Sequence, residues 1–80
     1  MKTPRDLNGD DLAKLLRLYD YEITRQAGSH MRLTITLNGE HHITIPRHRP
    51  LKVGTLNAVL RDVAQHFDLS RDELLNSLLD

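Results

Sequence analysis

The 80-residue chain has no cysteine and no long run of apolar residues. Without cysteine it can form neither a disulfide framework nor a thiolate metal site. A membrane-spanning helix needs about 20 consecutive apolar residues, and residues 1–6 lack the apolar segment of a secretion signal. We therefore expect a cytoplasmic protein without a membrane partner.

What is present is typical of a small folded protein, with 39% hydrophobic and 28% charged residues. The length suits a single domain over residues 1–80, with its core at about residues 9–67 and a C-terminal helical extension at residues 70–79. A chain of this size buries only about 60% of the surface that its unfolded state exposes. The predicted core is therefore thin.

The formal net charge is zero, but the charges are unevenly distributed. Residues 24–61 carry six Lys or Arg residues against one Glu, whereas residues 62–80 carry one Arg against five acids. A local basic field favours a polyanion such as nucleic acid. Ordinary solvated surface charge is the alternative explanation, and charge alone does not decide between the two.

Two amphipathic helices are predicted, one before and one after the central segment of the chain. The first covers about residues 9–19, with Asn8 as its cap and with Asp10 and Asp11 at the positive end of its dipole. The second follows Lys52. Their apolar stripes are Leu12, Leu15, Leu16 and Tyr19 in the first helix, and Leu56, Val59, Leu60, Val63 and Phe67 in the second.

A third helix is predicted over residues 70–79, where Ser70 and Glu73 have the spacing of a capping box. It carries four apolar residues, Leu74, Leu75, Leu78 and Leu79. Such a helix needs a surface to cover it. That surface is the edge of the core in a monomer, and a dimer or partner contact otherwise.

Between the first two helices, apolar and polar residues alternate as in half-buried strands. The first predicted strand covers residues 21–26, and Asn38-Gly39 indicates a type I′ hairpin turn because both residues tolerate positive φ. The third strand returns through Glu40 to Ile45, and Pro46 stops it because proline cannot donate to a sheet ladder. The predicted inward residues are Tyr21, Ile23, Met31, Leu33, Ile35, Leu37, Ile43 and Ile45, and the polar side of the middle strand is His30, Arg32, Thr34 and Thr36.

These elements predict an α+β fold of order α-β-β-β-α-α. Its three-stranded antiparallel sheet is covered by helices on one face. The other face, with His30, Arg32 and Thr34, is left to solvent or to a ligand.

The segment RQAGSH, residues 25–30, joins the first two strands and holds the histidine of greatest interest. Gly28 permits a turn that other residues resist, and the turn places His30 near solvent. His41 and His42 do not suggest zinc, because adjacent strand residues point to opposite faces and no carboxylate has a familiar ligand spacing. We expect neither a metal nor a cofactor.

Three stretches resemble the HicA (YcfA-like) toxin family of bacterial toxin–antitoxin systems. Residues 11–22 give a capped helix followed by a strand, residues 25–30 are similar to the family's Arg-Gln-x-Gly-Ser-His, and residues 45–56 contain its Pro-x-His and Leu-x-x-Gly-Thr-Leu motifs. Together they span about residues 9–64. The resemblance implies a double-stranded-RNA-binding-domain-like fold and an mRNA-cleaving type II toxin that a HicB-type antitoxin holds inactive.

The resemblance also implies that His30 is the catalytic residue. RNA can be cut without a metal because its 2′-OH is an internal nucleophile, and a histidine can serve as the base or the acid. Arg32 lies two residues along the same face and can hold the phosphate. The second catalytic group stays open among His48, Lys52 and a water. The predicted RNA-binding residues are Arg25, Gly28, Ser29, Arg32, Arg47, His48, Arg49 and Lys52.

Two other functions stay open. The protein is either a non-catalytic RNA-binding module of the same fold, or a decayed toxin that acts mainly through its antitoxin. A histidine at position 30 favours the enzyme because binding alone needs no imidazole there, although an exposed residue at a strand end is the plain structural explanation. Neutral net charge favours the decayed toxin. The oligomeric state, a homodimer or a hetero-oligomer with the antitoxin, also stays open.

Overall fold

A computed structural model describes residues 6–79 of the chain. Residues 1–5 and 80 lie outside the described part. The prediction that residues 1–6 hold no secretion signal therefore falls mostly on residues that the structure does not describe. The elements in chain order are helix α1 (Gly9–Leu16), a 3-10 turn (Arg17–Tyr19), strands β1 (Glu22–Ala27), β2 (His30–Ile35) and β3 (His41–Pro46), and helices α2 (Val53–His66) and α3 (Arg71–Leu79).

The three strands form one antiparallel sheet in the order β1-β2-β3. The pairing of β2 with β3 runs without interruption, from His30 opposite Pro46 to Ile35 opposite His41. Helices α1 and α2 both pack against β3. This arrangement confirms the predicted α+β fold, with the element order and three-stranded meander expected of a double-stranded-RNA-binding-domain-like protein.

One hydrophobic core lies between the helices and one face of the sheet. Each fully buried leucine or isoleucine side chain contributes about 1.5–3 kcal/mol to folding. The strands contribute Met31, Leu33, Ile35, Ile43 and Ile45, as predicted, and the helices contribute Leu12, Ala13, Leu16, Leu56, Val59, Leu60, Val63, Ala64, Leu74, Leu75 and Leu78.

Two of the residues predicted to face the core are exposed instead. Ile23 is 45% exposed because β1 lies at the edge of the sheet, beyond the helices that cover β3. Leu37 is 55% exposed because the paired part of β2 ends at Ile35, so that Leu37 belongs to the turn. The prediction was wrong for both, since alternation shows which side a residue faces but not how far the cover extends.

The first helix is shorter than predicted. Its α-helical part ends at Leu16, and a 3-10 turn continues to Tyr19. Asp20 then adopts a left-handed conformation with φ of +72°. The 3-10 turn and Asp20 together redirect the chain. Tyr21 can therefore enter the core while β1 runs along the edge of the sheet.

The turn between β2 and β3 uses the predicted pair of positive-φ residues, with φ of +60° at Asn38 and +97° at Gly39. It is longer than a two-residue hairpin, since the last pair of the ladder is Ile35 with His41. The Asn38 amide donates to the carbonyl of His66 at 2.9 Å. The turn is therefore tied to the C-terminal end of α2.

The capping box predicted for α3 is present. The Ser70 N–H donates to a Glu73 carboxylate oxygen at 2.9 Å, and the Glu73 N–H donates to the Ser70 hydroxyl at 3.1 Å. Three of the four leucines of α3 are buried, so the edge of the core supplies the surface that the helix needs, while Leu79 stays 43% exposed.

Tyr21 anchors the start of the sheet to α2 through two other side chains. Its buried hydroxyl lies 2.7 Å from Nδ1 of His41, and Nε2 of His41 lies 3.1 Å from the Asp62 carboxylate. An ionised Asp62 only accepts, so in the neutral imidazole Nε2 carries the hydrogen and Nδ1 accepts from Tyr21. Burial and the nearby negative charge of Asp62 raise the pKa of Tyr21 to about 12.

We expect Tyr21 to ionise near pH 12 in a Tyr19→Phe variant, where it is the only tyrosine. Its folded pKa exceeds the ordinary value of 10.0, so its contribution to stability is complete below pH 10 and is lost as the pH rises toward 12. Tyrosinate absorbance in an alkaline titration measures the midpoint. A midpoint near pH 10 in the folded protein would contradict the buried, hydrogen-bonded hydroxyl.

Candidate functional site

The face of the sheet opposite the helices is polar and open to solvent. It carries His30, Arg32 and Thr34 of β2, as the alternation predicts. Directly paired residues of antiparallel strands project to the same face, so Ala27 of β1 and Pro46 of β3 lie on either side of His30. We call this side of the sheet the open face.

A bulge in β1 decides where Arg25 lies. Ile23 pairs with Leu33, but the next pair joins Arg25, not Thr24, to Arg32. Without the extra residue, regular alternation would turn Arg25 toward the core side. The bulge therefore places Arg25 on the open face, directly across from Arg32. Neither arginine forms an ion pair with any side chain of residues 6–79.

His30 is the first residue of β2 and follows a tight turn. Gly28 in that turn has φ of +58°, and a Cβ there would meet no heavy atom within 4 Å. The turn therefore needs glycine for its backbone conformation and not for space. His30 is exposed, and within the described part of the chain its imidazole has no hydrogen-bond partner. Both of its ring nitrogens are available to a substrate.

The basic loop, residues 46–52, begins beside His30. Pro46 is the strand partner of His30, and the N–H of Arg47 donates to the carbonyl of Ser29 at 2.7 Å. The turn before β2 and the start of the basic loop thus lie side by side and are joined by a backbone hydrogen bond. Four predicted site residues meet there: Gly28, Ser29, His30 and Arg47.

The N-terminal end of α1 holds the basic loop from the other side. The N–H of Gly9 donates to the carbonyl of His48 at 3.1 Å, and the N–H of Leu51 donates to the carbonyl of Leu7 at 2.8 Å. A Cβ on Gly9 would lie 2.1 Å from the carbonyl oxygen of Pro46. This approach of two backbone segments is open to glycine alone.

Asp10 joins α1 to two arginines of the basic loop. Nε of Arg47 donates to Oδ1 at 3.0 Å and Nη2 donates to Oδ2 at 3.2 Å, which makes a bidentate pair. Nη2 of Arg49 lies 3.6 Å from Oδ2. The hydrogen bond from Arg47, with the positive charges of both arginines, holds the pKa of the Asp10 carboxyl below its ordinary value of 3.8. Asp10 is therefore ionised at neutral pH.

A second polar cluster occupies the opposite end of the open face. The hydroxyls of Thr24 and Thr34 lie 2.8 Å apart, and the Thr34 hydroxyl lies 2.8 Å from Nδ1 of His42. Nε2 of His42 lies 3.3 Å from the Glu40 carboxylate. An open cleft of about 800 Å³ includes Thr24, Thr34 and Thr36. None of the predicted site residues lines this cleft.

Not every predicted residue joins the His30 end of the sheet. Lys52 lies at the start of α2, after the buried Leu51, and within residues 6–79 no hydrogen bond or ion pair connects it to His30. His41 and His42 lie on opposite faces of β3, as predicted. Among the described residues, no three His, Asp or Glu side chains gather so as to hold a metal ion.

Gly9 and Asp10 belong to this region but could not be assigned to it from the sequence. Asp10 suits the helix dipole in any case, and Arg47 lies 37 positions further along the chain. The available signal is Gly9 itself, because glycine disfavours a helix by about 1 kcal/mol relative to alanine. A glycine that begins a helix therefore suggests a close contact.

The model for the HicA toxin of bacterial toxin–antitoxin matches residues 9–64, which extend from the first residue of α1 almost to the end of α2. The chain belongs to the HicA toxin family. This HicA match confirms the resemblance seen in the three motifs, and it includes His30, the basic loop and the Gly9 contact.

HicA membership makes the protein the toxin of a toxin–antitoxin pair, and so implies an antitoxin partner. Comparison with curated proteins and with solved structures gave no significant match. Within residues 6–79, no helix has both the length and the apolar character required to cross a membrane.

We expect Gly9→Ala to lower the free energy of unfolding by about 1–3 kcal/mol, because the added Cβ would clash with a backbone carbonyl that cannot rotate away. Gly54→Ala is the matched control, since a Cβ there meets nothing within 4 Å and alanine favours the helix by up to about 1 kcal/mol. Urea unfolding measures both variants. Equal stability of the two would show that the α1 contact with Pro46 is not tight.

Proposed function

We propose that this protein is a metal-independent endoribonuclease that cleaves mRNA, with His30 as its catalytic residue. The observation that carries the proposal is the position of His30. Its exposed imidazole lies where the turn, the open face and the basic loop meet, with no partner among the described residues. A histidine whose role was structural would be expected to use at least one ring nitrogen in the fold.

The Arg25–Arg32 pair supports an anionic substrate. Like charges directly opposite each other across two strands are destabilising, and neither arginine forms an ion pair with a described acidic side chain. A phosphate between the two guanidinium groups would relieve the repulsion and accept hydrogen bonds from both. The pair lies one step along the open face from His30, within reach of a neighbouring nucleotide.

The reaction follows from the substrate's own nucleophile. A base removes the proton of the 2′-OH, and the 2′ oxygen forms a bond to the adjacent phosphorus. The bond from phosphorus to the 5′ oxygen breaks, and an acid protonates that oxygen, which leaves a 2′,3′-cyclic phosphate and a 5′-OH. His30 can take either role because an imidazole can accept or donate a proton. Arg32 offsets the charge that builds on the phosphate.

The second catalytic group is proposed among His48, Lys52 and a water. His48 lies two residues after Pro46, the strand partner of His30, whereas Lys52 lies at the start of α2. This placement favours His48 over Lys52. The loop arginines Arg47 and Arg49, with Lys52, would add salt-dependent affinity for RNA phosphates.

The proposal includes the cellular setting of the enzyme. Its substrate is mRNA in the cytoplasm, and its inhibitor is an antitoxin of the HicB type in a hetero-oligomer. Membership of the HicA family supports this part of the proposal. Gly28 and Ser29 would let the RNA backbone come close to the turn, since neither presents a bulky side chain.

We expect His30→Ala to abolish cleavage of a labelled RNA in EDTA, and to relieve growth arrest, without loss of the fold or of antitoxin binding. His42→Ala is the matched control, because His42 lies on the same face but at the Thr34 end. Cleavage by wild type and by the control, but not by His30→Ala, supports the proposal. Equal cleavage by all three proteins would show that a group other than His30 is catalytic. RNA binding without any cleavage would leave a binding module instead of an enzyme.

We expect Arg32→Ala to weaken RNA binding and to flatten its dependence on salt, because one phosphate contact is lost. The slope of log Kd against log salt should change by about 0.7 for single-stranded RNA. Arg61→Ala on α2 removes the same charge away from the open face and should leave the slope unchanged. Fluorescence anisotropy over a salt series measures both. An equal change in both variants would indicate general charge attraction in place of a site.

A further inference from the structure

We propose that Asp10 is a positioning residue that orients Arg47 toward a phosphate of the RNA beside His30. The inference rests on the proposed function for the identity of the anion. It assigns a role to an acidic residue, on a helix outside the open face, that would otherwise oppose the binding of a polyanion.

Arg47 is held at both its backbone and its side chain. Its N–H donates to the carbonyl of Ser29 at 2.7 Å, next to His30 in the chain. Its guanidinium is held by the bidentate pair with Asp10, at 3.0 and 3.2 Å. Few of its rotatable bonds are left free, so little further entropy is lost when the guanidinium meets a phosphate.

The position of Asp10 is itself fixed by the fold. It follows Gly9, whose N–H donates to the carbonyl of His48 and whose missing Cβ allows the contact with Pro46. The carboxylate and the arginine therefore stand on two backbone segments that touch each other. A surface ion pair between two mobile segments would not have this geometry.

The geometry leaves one edge of Arg47 available. A guanidinium has five N–H donors, and the bidentate pair uses one on Nε and one on Nη2. The remaining donors, both on Nη1 and the second on Nη2, have no partner among residues 6–79. The side chain is 38% exposed. One edge of Arg47 thus faces Asp10 while the other can donate to a phosphate.

The charge balance permits this role. Arg47 and Arg49 bring two positive charges to one carboxylate, so the cluster keeps a net positive charge at neutral pH. Arg49 is farther from Asp10, at 3.6 Å, and its side chain is 72% exposed. It is therefore free to move toward the RNA, whereas Arg47 is fixed in place.

The test is a double-mutant cycle of Asp10→Asn and Arg47→Ala, read as the Kd for a short fluorescent 2′-O-methyl RNA. This RNA cannot be cleaved because its 2′ oxygen is blocked, so the cycle is independent of catalysis. We expect Asp10→Asn to raise Kd about fivefold in the wild-type background and by less than about twofold in the Arg47→Ala background. Thermal unfolding of each variant accompanies the cycle, and Asp68→Asn is the control for loss of one negative charge.

The outcomes separate the inference from the proposed function. Tighter binding by Asp10→Asn would show that the carboxylate competes with phosphate, and would overturn the positioning role. An equal increase of Kd in both backgrounds would show that Asp10 acts through the fold and would also overturn it. Cleavage of unmodified RNA in EDTA tests the proposed function separately. If the wild-type protein cleaves, the same variants should show a higher KM with an unchanged kcat. Absence of both binding and cleavage would overturn both proposals.

Discussion

The contact between the backbone of Gly9 and the carbonyl of Pro46 is the constraint on which the candidate site depends. It closes a ring of interactions that starts at α1, crosses to the end of β3 and returns through the loop hydrogen bonds. Because Pro46 is also the strand partner of His30, the position of α1 determines what stands beside the histidine. The hydrophobic core sets the distance between α1 and the sheet. At that distance only glycine at position 9 leaves room for the Pro46 carbonyl.

The distribution of charge explains how a chain of zero net charge can offer a surface to RNA. Among residues 6–79, Glu22 is the one acidic residue in a strand, and the others lie on the helices or in loops, whereas Arg25 and Arg32 of the open face form no ion pair with any described side chain. Asp10 is the exception near the basic loop, and two arginines outnumber it. The local field that a substrate meets therefore differs from the net charge, because screening limits the influence of distant acids to about a Debye length.

The sequence predicted those features that arise from local chemistry. Strand alternation placed His30 at an exposed strand start, and the Ser70–Glu73 spacing predicted the cap of α3, because both signals lie within a few residues. The bulge that moves Arg25 to the open face has no comparable signature, since it is a property of the pairing between β1 and β2 and not of neighbouring residues in the sequence. The Asp10–Arg47 pair joins segments 37 positions apart, and only the folded backbone brings them together.

Helix α3 lies outside the family match but belongs to the hydrophobic core. The HicA match ends at residue 64, before α3 begins. Yet Leu74, Leu75 and Leu78 are buried in the same core as the leucines of α2. A fragment cut at the end of the family match would leave an apolar groove on α2 facing water, and such patches promote self-association. The segment that identifies the family, residues 9–64, is thus shorter than the segment that is needed to cover the hydrophobic core.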